Sequence, residues 1–161
     1  MSYFKRCLLT RPSILPSLHI DCNRAEGRAR GGILKTKMQR LLFIGLAGGA
    51  GTLLRYWLSE FTARRFGEQF PVGTVVVNLV GCFFAGALFY VIFDRYAFSP
   101  TLRTIILIGL LGGFTTFSSY GLQTFALLRD GQMGLALFNI ALSNVGGLLL
   151  VWFGYSLAKV L

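Results

Sequence analysis

Polar side chains at helical spacing within long apolar segments are the groups of this sequence that could do chemistry. Thr74 and Asn78 lie four residues apart, and Asn139 and Ser143 repeat that spacing. Residues four apart share one side of a helix, so we expect each pair to present an amide and a hydroxyl on the same face. These groups are neutral and can donate hydrogen bonds.

Aromatic rings follow the same rule in another segment, where Phe117, Tyr120 and Thr124 fall on one stripe of a helix. The rim of an aromatic ring is partly positive, and the middle of these segments contains no carboxylate. Such groups suit a small anion and suit a cation badly. Arg55 could draw anions towards the site or extend its charged head to the membrane surface. A single Ser or Thr in a spanning helix is more often structural than pore-lining.

Four apolar segments must position these groups, at about residues 41–61, 72–93, 102–128 and 135–157. A helix of roughly 20 residues crosses the ~30 Å of bilayer hydrocarbon. The 161-residue chain is 54% hydrophobic and only 14% charged, whereas soluble domains are about a quarter charged. The sequence therefore predicts an all-α membrane protein of four transmembrane helices, with no room for a soluble catalytic domain.

Glycines mark two special places in these segments. The first segment carries Gly45, Gly48, Gly49 and Gly51, which predict close approach of a neighbouring helix. The third contains the run GGFTTFSSYG over residues 112–121, which is too rich in Gly, Thr and Ser for a lipid-facing helix. We expect that run to break the helix in mid-membrane, where protein or a water-filled cavity must satisfy its backbone polar groups.

Basic residues concentrate before Met38. The formal net charge is +10, and residues 1–37 carry eight basic residues against two acidic ones. This segment shows no helical or strand period, so we expect a disordered extension, or a start-site artefact because Met38 leads directly into the first apolar segment. The rest of the excess charge lies on a membrane domain, residues 38–161, which excludes a nucleic-acid surface.

The basic residues that flank the four segments are nearly balanced between the two sides of the membrane. One side would carry Arg40, Arg95, Arg103 and Lys159, and the other would carry Arg64, Arg65 and Arg129. Because the bias in Lys and Arg sets orientation, such a chain should insert both ways. Oppositely inserted copies can pair about a twofold axis in the membrane plane.

Three ordered motifs resemble one known family. They are GLAGGAGTLLRYWLS (Gly45 to Ser59), PVGTVVVNLVGCFFAG (Pro71 to Gly86) and GLLGGFTTFSSYGLQT (Gly109 to Thr124). In that order they are similar to the signatures of the Fluc (CrcB) fluoride channels of bacteria, and the resemblance covers residues 38–161. It implies a multi-pass protein of the bacterial inner membrane that lowers cytoplasmic fluoride by passive efflux. It also implies a dual-topology antiparallel homodimer, surrounded by membrane lipid, in which both subunits line each pore.

The resemblance also implies roles for individual residues. Those that match the family's pore are Asn78, Phe117, Tyr120, Thr74 and Ser143. Arg55 would stand in a vestibule or serve structure. Gly112 and Thr115 match positions whose backbone carbonyls hold a structural sodium ion (Na+) at the dimer centre. The sequence departs from the family at Tyr120, where Phe is usual, at Gln123, where Glu is frequent, and at Asn139, where Tyr is common.

Two other classes of protein fit part of the pattern. A small proton-coupled multidrug exporter also has four short helices, but it requires an acidic residue within the membrane, whereas Glu60 and Glu68 lie at the end of a segment and in a loop. A non-transporting subunit of a larger complex would leave the aligned polar faces unexplained. The sequence thus favours a channel over an enzyme or an exporter.

Overall fold

The computed structural model describes residues 22–67 and 69–161, with side chains from Lys37 onwards. The chain divides into two compact units, Met1–Thr36 and Lys37–Leu161. The fold described below is that of the second unit.

Four helical segments of the described residues are long and apolar enough to cross a membrane: Lys37–Phe66, Val72–Arg95, Pro100–Arg129 and Met133–Val160. The helices are α1 (Cys22–Phe66), α2 (Val72–Arg95), α3 (residues 100–114), α4 (Phe117–Arg129) and α5 (Met133–Val160). Short connections join them, with Ser99 and Pro100 at the start of α3 and Gly131, at a φ of +75°, between α4 and α5. The predicted four-segment helical architecture is confirmed.

The third apolar segment consists of two helices because the backbone is extended at two residues. Thr115 (φ −83°, ψ 155°) and Thr116 (φ −145°, ψ 117°) separate α3 from α4. This interruption falls within the Gly-, Thr- and Ser-rich run that predicted a break. Three π-helical turns widen the helices elsewhere, at Tyr90–Arg95 in α2, Ile105–Leu111 in α3 and Leu142–Gly146 in α5.

Glycines let the helices pack backbone against backbone. A Cβ on Gly51 of α1 would overlap the carbonyl oxygen of Leu110 in α3, and one on Gly113 would overlap the carbonyl oxygen of Gly48. Helices α2 and α5 meet in the same way. A Cβ on Gly86 would overlap the carbonyl oxygen of Val151, and one on Gly154 would overlap the carbonyl oxygen of Phe83. Close packing is therefore the role of these glycines. The prediction of close approach does not hold for Gly45 and Gly49 within the single chain, where no atom lies within 4 Å of a Cβ at either position.

Most large apolar side chains of the second unit lie on its outer surface. Leu53 is 71% exposed and Trp57 is 67% exposed. Within Lys37–Phe66, only 6% of the most apolar 18 residues are buried. In water such a surface would drive aggregation, whereas lipid or a second protein chain can cover it.

The first helix begins earlier than the sequence predicted. It starts at Cys22, so it includes residues 22–37, for which the sequence predicted a disordered extension or a start-site artefact. Extending an existing helix fixes one residue for each new hydrogen bond, which is easier than nucleation, and Ala, Arg and Lys make up seven of the sixteen residues in this stretch. The same expectation for residues 1–21 lies outside the described residues.

Gly51→Ala should destabilise the protein, because its methyl group would overlap the backbone of α3. Overpacking typically lowers the free energy of unfolding by about 1–3 kcal/mol. Gly45→Ala is the matched control, since no atom lies within 4 Å of a Cβ at that position, and it should leave stability unchanged or slightly raised. Thermal unfolding in detergent measures both, and equal melting temperatures for the two variants would contradict the packing role of Gly51.

Candidate functional site

A pair of hydrogen bonds from one side chain holds the interruption between α3 and α4. The Asn78 side chain on α2 donates from Nδ2 to the carbonyl oxygen of Thr116 at 3.0 Å. Its Oδ1 accepts from the backbone N–H of Thr116 at 2.9 Å. The amide thus replaces both helical partners that the extended residue lacks. Unpaired backbone groups are costly away from water, so this clamp is what allows the interruption to exist inside the protein.

The clamp releases backbone carbonyls at the end of α3. In an uninterrupted helix the N–H of Thr116 would donate to the carbonyl of Gly112, but it donates to Asn78 instead. The N–H of Ser119 would donate to the carbonyl of Thr115, but it donates to the Thr116 hydroxyl at 3.3 Å. Gly112 and Thr115 are thereby left with carbonyl oxygens that have lost their helical donors, and these are hard ligands of the kind that alkali and alkaline-earth cations prefer.

The start of α4 carries partial positive charge, in contrast to the partly negative carbonyls at the end of α3. Thr116 is its N-cap and Phe117 its first residue. The first N–H groups of a helix have no helical acceptor, and they place roughly half a positive charge at that end. The interruption therefore sets freed carbonyls beside a partly positive helix start.

The first cavity lies against this interruption and has a volume of about 480 Å³. It contains most of the polar and aromatic residues that the sequence singled out. The lining residues with predicted roles are Asn78, Gly112, Thr115, Phe117, Tyr120 and Ser143. The ring centroids of Phe117 and Tyr120 are 5.4 Å apart, with their planes tilted by 52°. Residues from α2, α3, α4 and α5 are thus brought to one site.

The hydrogen-bond donors of the first cavity differ in whether they already have an acceptor within the protein. One N–H of the Asn78 amide is used on Thr116, which leaves its second N–H for another partner. The Ser143 hydroxyl donates to Oδ1 of Asn139 over a long 3.5 Å, and the Thr115 hydroxyl donates to the Leu111 carbonyl at 3.0 Å. The amide of Asn78 is consequently better placed than either hydroxyl to meet a ligand.

The second cavity, of about 310 Å³, holds the two predicted residues that are absent from the first. It is lined by Arg55 and Thr74 together with Thr52, Tyr56, Ser59, Val77, Thr116, Ser119 and Gln123. Thr74 and Asn78 are one helical turn apart, yet each lines a different cavity. Thr116 lines both, so both cavities border the interruption. The Gln123 Oε1 atom is buried and has no hydrogen-bond partner among the described residues.

Asn139 occupies a different environment from that of the cavities. Its side chain is 1% exposed and donates from Nδ2 to the Thr124 hydroxyl at 2.8 Å, which in turn donates to the Tyr120 carbonyl. The amide therefore joins α5 to α4, and Thr124 lies behind the aromatic stripe instead of at the cavity.

Sequence reasoning missed two residues of the site. Thr116 supplies the backbone that Asn78 holds, and Asn144 lines the first cavity beside Ser143. The polar run around residue 116 signalled an irregular backbone but gave no partner for it. Asn144 follows Ser143 directly, and neighbouring residues of a regular α-helix do not share a face, so the spacing rule could not select both.

The fold and the cavities define a four-helix membrane protein with neutral polar groups around an interrupted helix. Residues 42–155 match the family described as CrcB-like protein, Camphor Resistance (CrcB). A fluoride-specific ion channel FluC of Citrifermentans bemidjiense is 44% identical over 124 residues, covering 77% of this chain and 100% of the relative. That of Aquifex aeolicus is 42% identical over 118 residues, covering 73% and 95%. The chain belongs to the CrcB family.

Asn78→Leu should loosen the interruption, because both groups of Thr116 lose their partner. Leaving buried polar groups unsatisfied costs about 1–3 kcal/mol each, so amide hydrogen exchange over residues 112–119 should become at least tenfold faster. Asn144→Leu is the matched control, since that amide bonds Ile140 on its own helix and reaches α4 only at the Tyr120 hydroxyl. Unchanged exchange in Asn78→Leu would contradict the clamp.

Proposed function

We propose that this chain forms a fluoride-selective ion channel that lowers cytoplasmic fluoride by passive efflux, and that it is not an enzyme. The observation that carries the proposal is the first cavity, where the amide of Asn78 and the ring of Phe117 lie at the partly positive start of α4. Membership of the CrcB family, whose matched relatives are named fluoride-specific ion channels, supports the choice of ion.

Desolvation is the physical problem that such a channel must solve. Fluoride is small and holds water tightly, whereas chloride is larger. Hydrogen-bond donors must replace the lost water, and the ion must still be able to leave each position. Neutral amides, hydroxyls and ring edges meet both demands, because a fixed positive charge in the narrow part would retain the ion.

In this proposal the two cavities are successive parts of the path of the ion. Arg55 in the second cavity attracts anions to its entrance, and Thr74 offers a hydroxyl further along. Past Thr116 the ion would enter the first cavity, which is lined by Asn78, the Phe117 and Tyr120 rings and Ser143. In this proposal the interruption of the third segment lies in mid-membrane, where protein and the water-filled cavities satisfy its backbone.

A second copy inserted in the opposite direction completes each pore. The support is the exposure of Phe117, whose side chain is 82% exposed in the single chain although it lines the first cavity. A large ring at this place needs a covering surface, and a dual-topology antiparallel homodimer supplies one. The nearly balanced basic residues at the helix ends support insertion both ways.

The freed carbonyls of Gly112 and Thr115 fit a structural sodium ion. Both carbonyl oxygens have lost the N–H groups that would bond them in a helix, and oxygen atoms are the ligands that a hard monovalent cation prefers. When bound, sodium would neutralise the partial negative charge at the end of α3. The role of this chain's residues is to present the two carbonyl oxygens, and the Asn78 clamp keeps them available.

A proton-coupled exporter of the bacterial inner membrane is the alternative, and it needs a carboxylate within the membrane. In residues 37–67 and 69–161 the carboxylates are those of Glu60, Asp94 and Asp130. Glu60 pairs with Arg64 near the end of α1 at 3.0 Å, and Asp130 pairs with Arg129 at 2.9 Å. All three lie near helix ends, so none of the described carboxylates is placed to exchange a proton within the membrane. This favours a channel over an exporter.

The test of this function is passive efflux from liposomes that contain the purified chain, followed with ion-selective electrodes for fluoride and chloride. We expect rapid fluoride efflux and little chloride efflux. Asn78→Asp should abolish fluoride efflux, because a carboxylate would repel the anion, and Phe117→Ile should slow it strongly. Gly45→Ala is the control that should conduct normally. Equal chloride and fluoride efflux, or none of either from folded protein, would contradict the proposal.

We also propose that residues 1–37 are dispensable for conduction. The family match begins at residue 42, and the matched relative from Citrifermentans bemidjiense aligns over its whole length with 77% of this chain. A chain that starts at Met38 should protect a fluoride-sensitive bacterium as well as the full chain does, at matched expression. Loss of protection with normal membrane insertion would show that the segment takes part in function.

A further inference from the structure

The Tyr120 hydroxyl has a fixed partner at the wall of the first cavity. Nδ2 of Asn144 lies 3.1 Å from the Tyr120 hydroxyl oxygen and 2.7 Å from the carbonyl oxygen of Ile140. Both Tyr120 and Asn144 line the cavity, next to the Phe117 ring. The amide therefore meets the hydroxyl end of the tyrosine at the cavity wall.

The direction of these two hydrogen bonds follows from their chemistry. A carbonyl oxygen only accepts, so the atom of Asn144 that faces Ile140 must be the amide nitrogen. An amide nitrogen has two N–H groups and no acceptor capacity, so it donates to the hydroxyl oxygen of Tyr120 as well. The tyrosine accepts in this contact and keeps its own proton for another partner. Accepting a hydrogen bond also strengthens a hydroxyl as a donor.

The other hydroxyls of the first cavity are less available. Ser143 directs its proton to Asn139 and Thr115 directs its proton to Leu111. Thr116, which also lines this cavity, donates to the Ser119 hydroxyl at 3.1 Å. Among the described residues, no acceptor takes the Tyr120 proton. The Tyr120 hydroxyl is therefore held in place by the hydrogen bond that it accepts from Asn144, and its own proton remains available to a ligand in the cavity.

We propose that the Tyr120 hydroxyl donates a hydrogen bond directly to the transported anion, and that Asn144 is the positioning residue that turns this proton towards the ion. The inference rests on the proposed function and adds to it a donor that a phenylalanine at this position lacks. An added donor favours the anion that accepts hydrogen bonds most strongly, so it raises affinity and selectivity for fluoride over chloride.

The π-helical turn of α5 makes this arrangement possible. Ser143 and Asn144 are adjacent in sequence, and both fall within the wide turn Leu142–Gly146 and line the same cavity. The turn brings the amide of Asn144 to Tyr120 while Ser143 reaches Asn139. Wide turns of this kind often occur at functional sites.

Tyr120→Phe tests the donor. Removal of one hydrogen bond to a charged ligand corresponds to about a tenfold weaker interaction. In planar-bilayer recordings we expect the half-saturating fluoride concentration to rise about tenfold and the fluoride-to-chloride permeability ratio to fall, while the channel still conducts. Tyr90→Phe is the matched control, because Tyr90 lies on α2 outside the residues that line either cavity.

Asn144→Ala tests the positioning role, alone and combined with Tyr120→Phe. Alone, it should shift half-saturation in the same direction as Tyr120→Phe. In the double variant it should add nothing, because the hydroxyl through which it acts is already gone. An unchanged half-saturation in Tyr120→Phe would overturn the donor, and equal effects of Asn144→Ala in both backgrounds would overturn the positioning role. Wild-type protein that conducts no fluoride would contradict the proposed function itself, whereas the first two results would leave that function standing.

Discussion

The amide of Asn78 on the backbone of Thr116 is the interaction on which the site depends. An extended residue between two helices exposes an N–H and a carbonyl that neither helix can satisfy, and one side chain from α2 satisfies both. The same contact frees the carbonyl of Gly112 and leaves α4 to begin at the cavity. Removing it would affect the freed carbonyl, the end of α3 and the start of α4 together.

Most polar groups that line the two cavities are uncharged. The described carboxylates stand near helix ends, and the cavity walls carry amides, hydroxyls and ring edges. Such groups bind an anion through dipoles, whose attraction falls quickly with distance and can be passed from one donor to the next. Arg55, in the second cavity, carries a full charge, which acts over a longer range than a dipole. In the proposed channel it would attract anions before they lose water.

Sequence reasoning reached the helices more readily than the contacts between them. Length and hydropathy alone place four spanning segments to within a few residues, and composition alone indicates the interruption. The partnership of Asn78 with Thr116 links positions 38 residues apart and depends on how α2 packs against α4, which helical spacing does not encode. The start of α1 at Cys22 escaped because helix propagation needs no apolar period.

The wide turn Leu142–Gly146 means that part of the site is encoded by a count of residues. A π-helical turn holds one residue more than an α-helical turn, so it absorbs the extra residue and leaves the helix on either side in register. Deletion of one residue within the turn would therefore let α5 close into regular pitch with Gly154 still packed against Phe83. Ser143 and Asn144 would then no longer both face the cavity, so the deletion would change the wall of the site while the packing of α5 stayed in place.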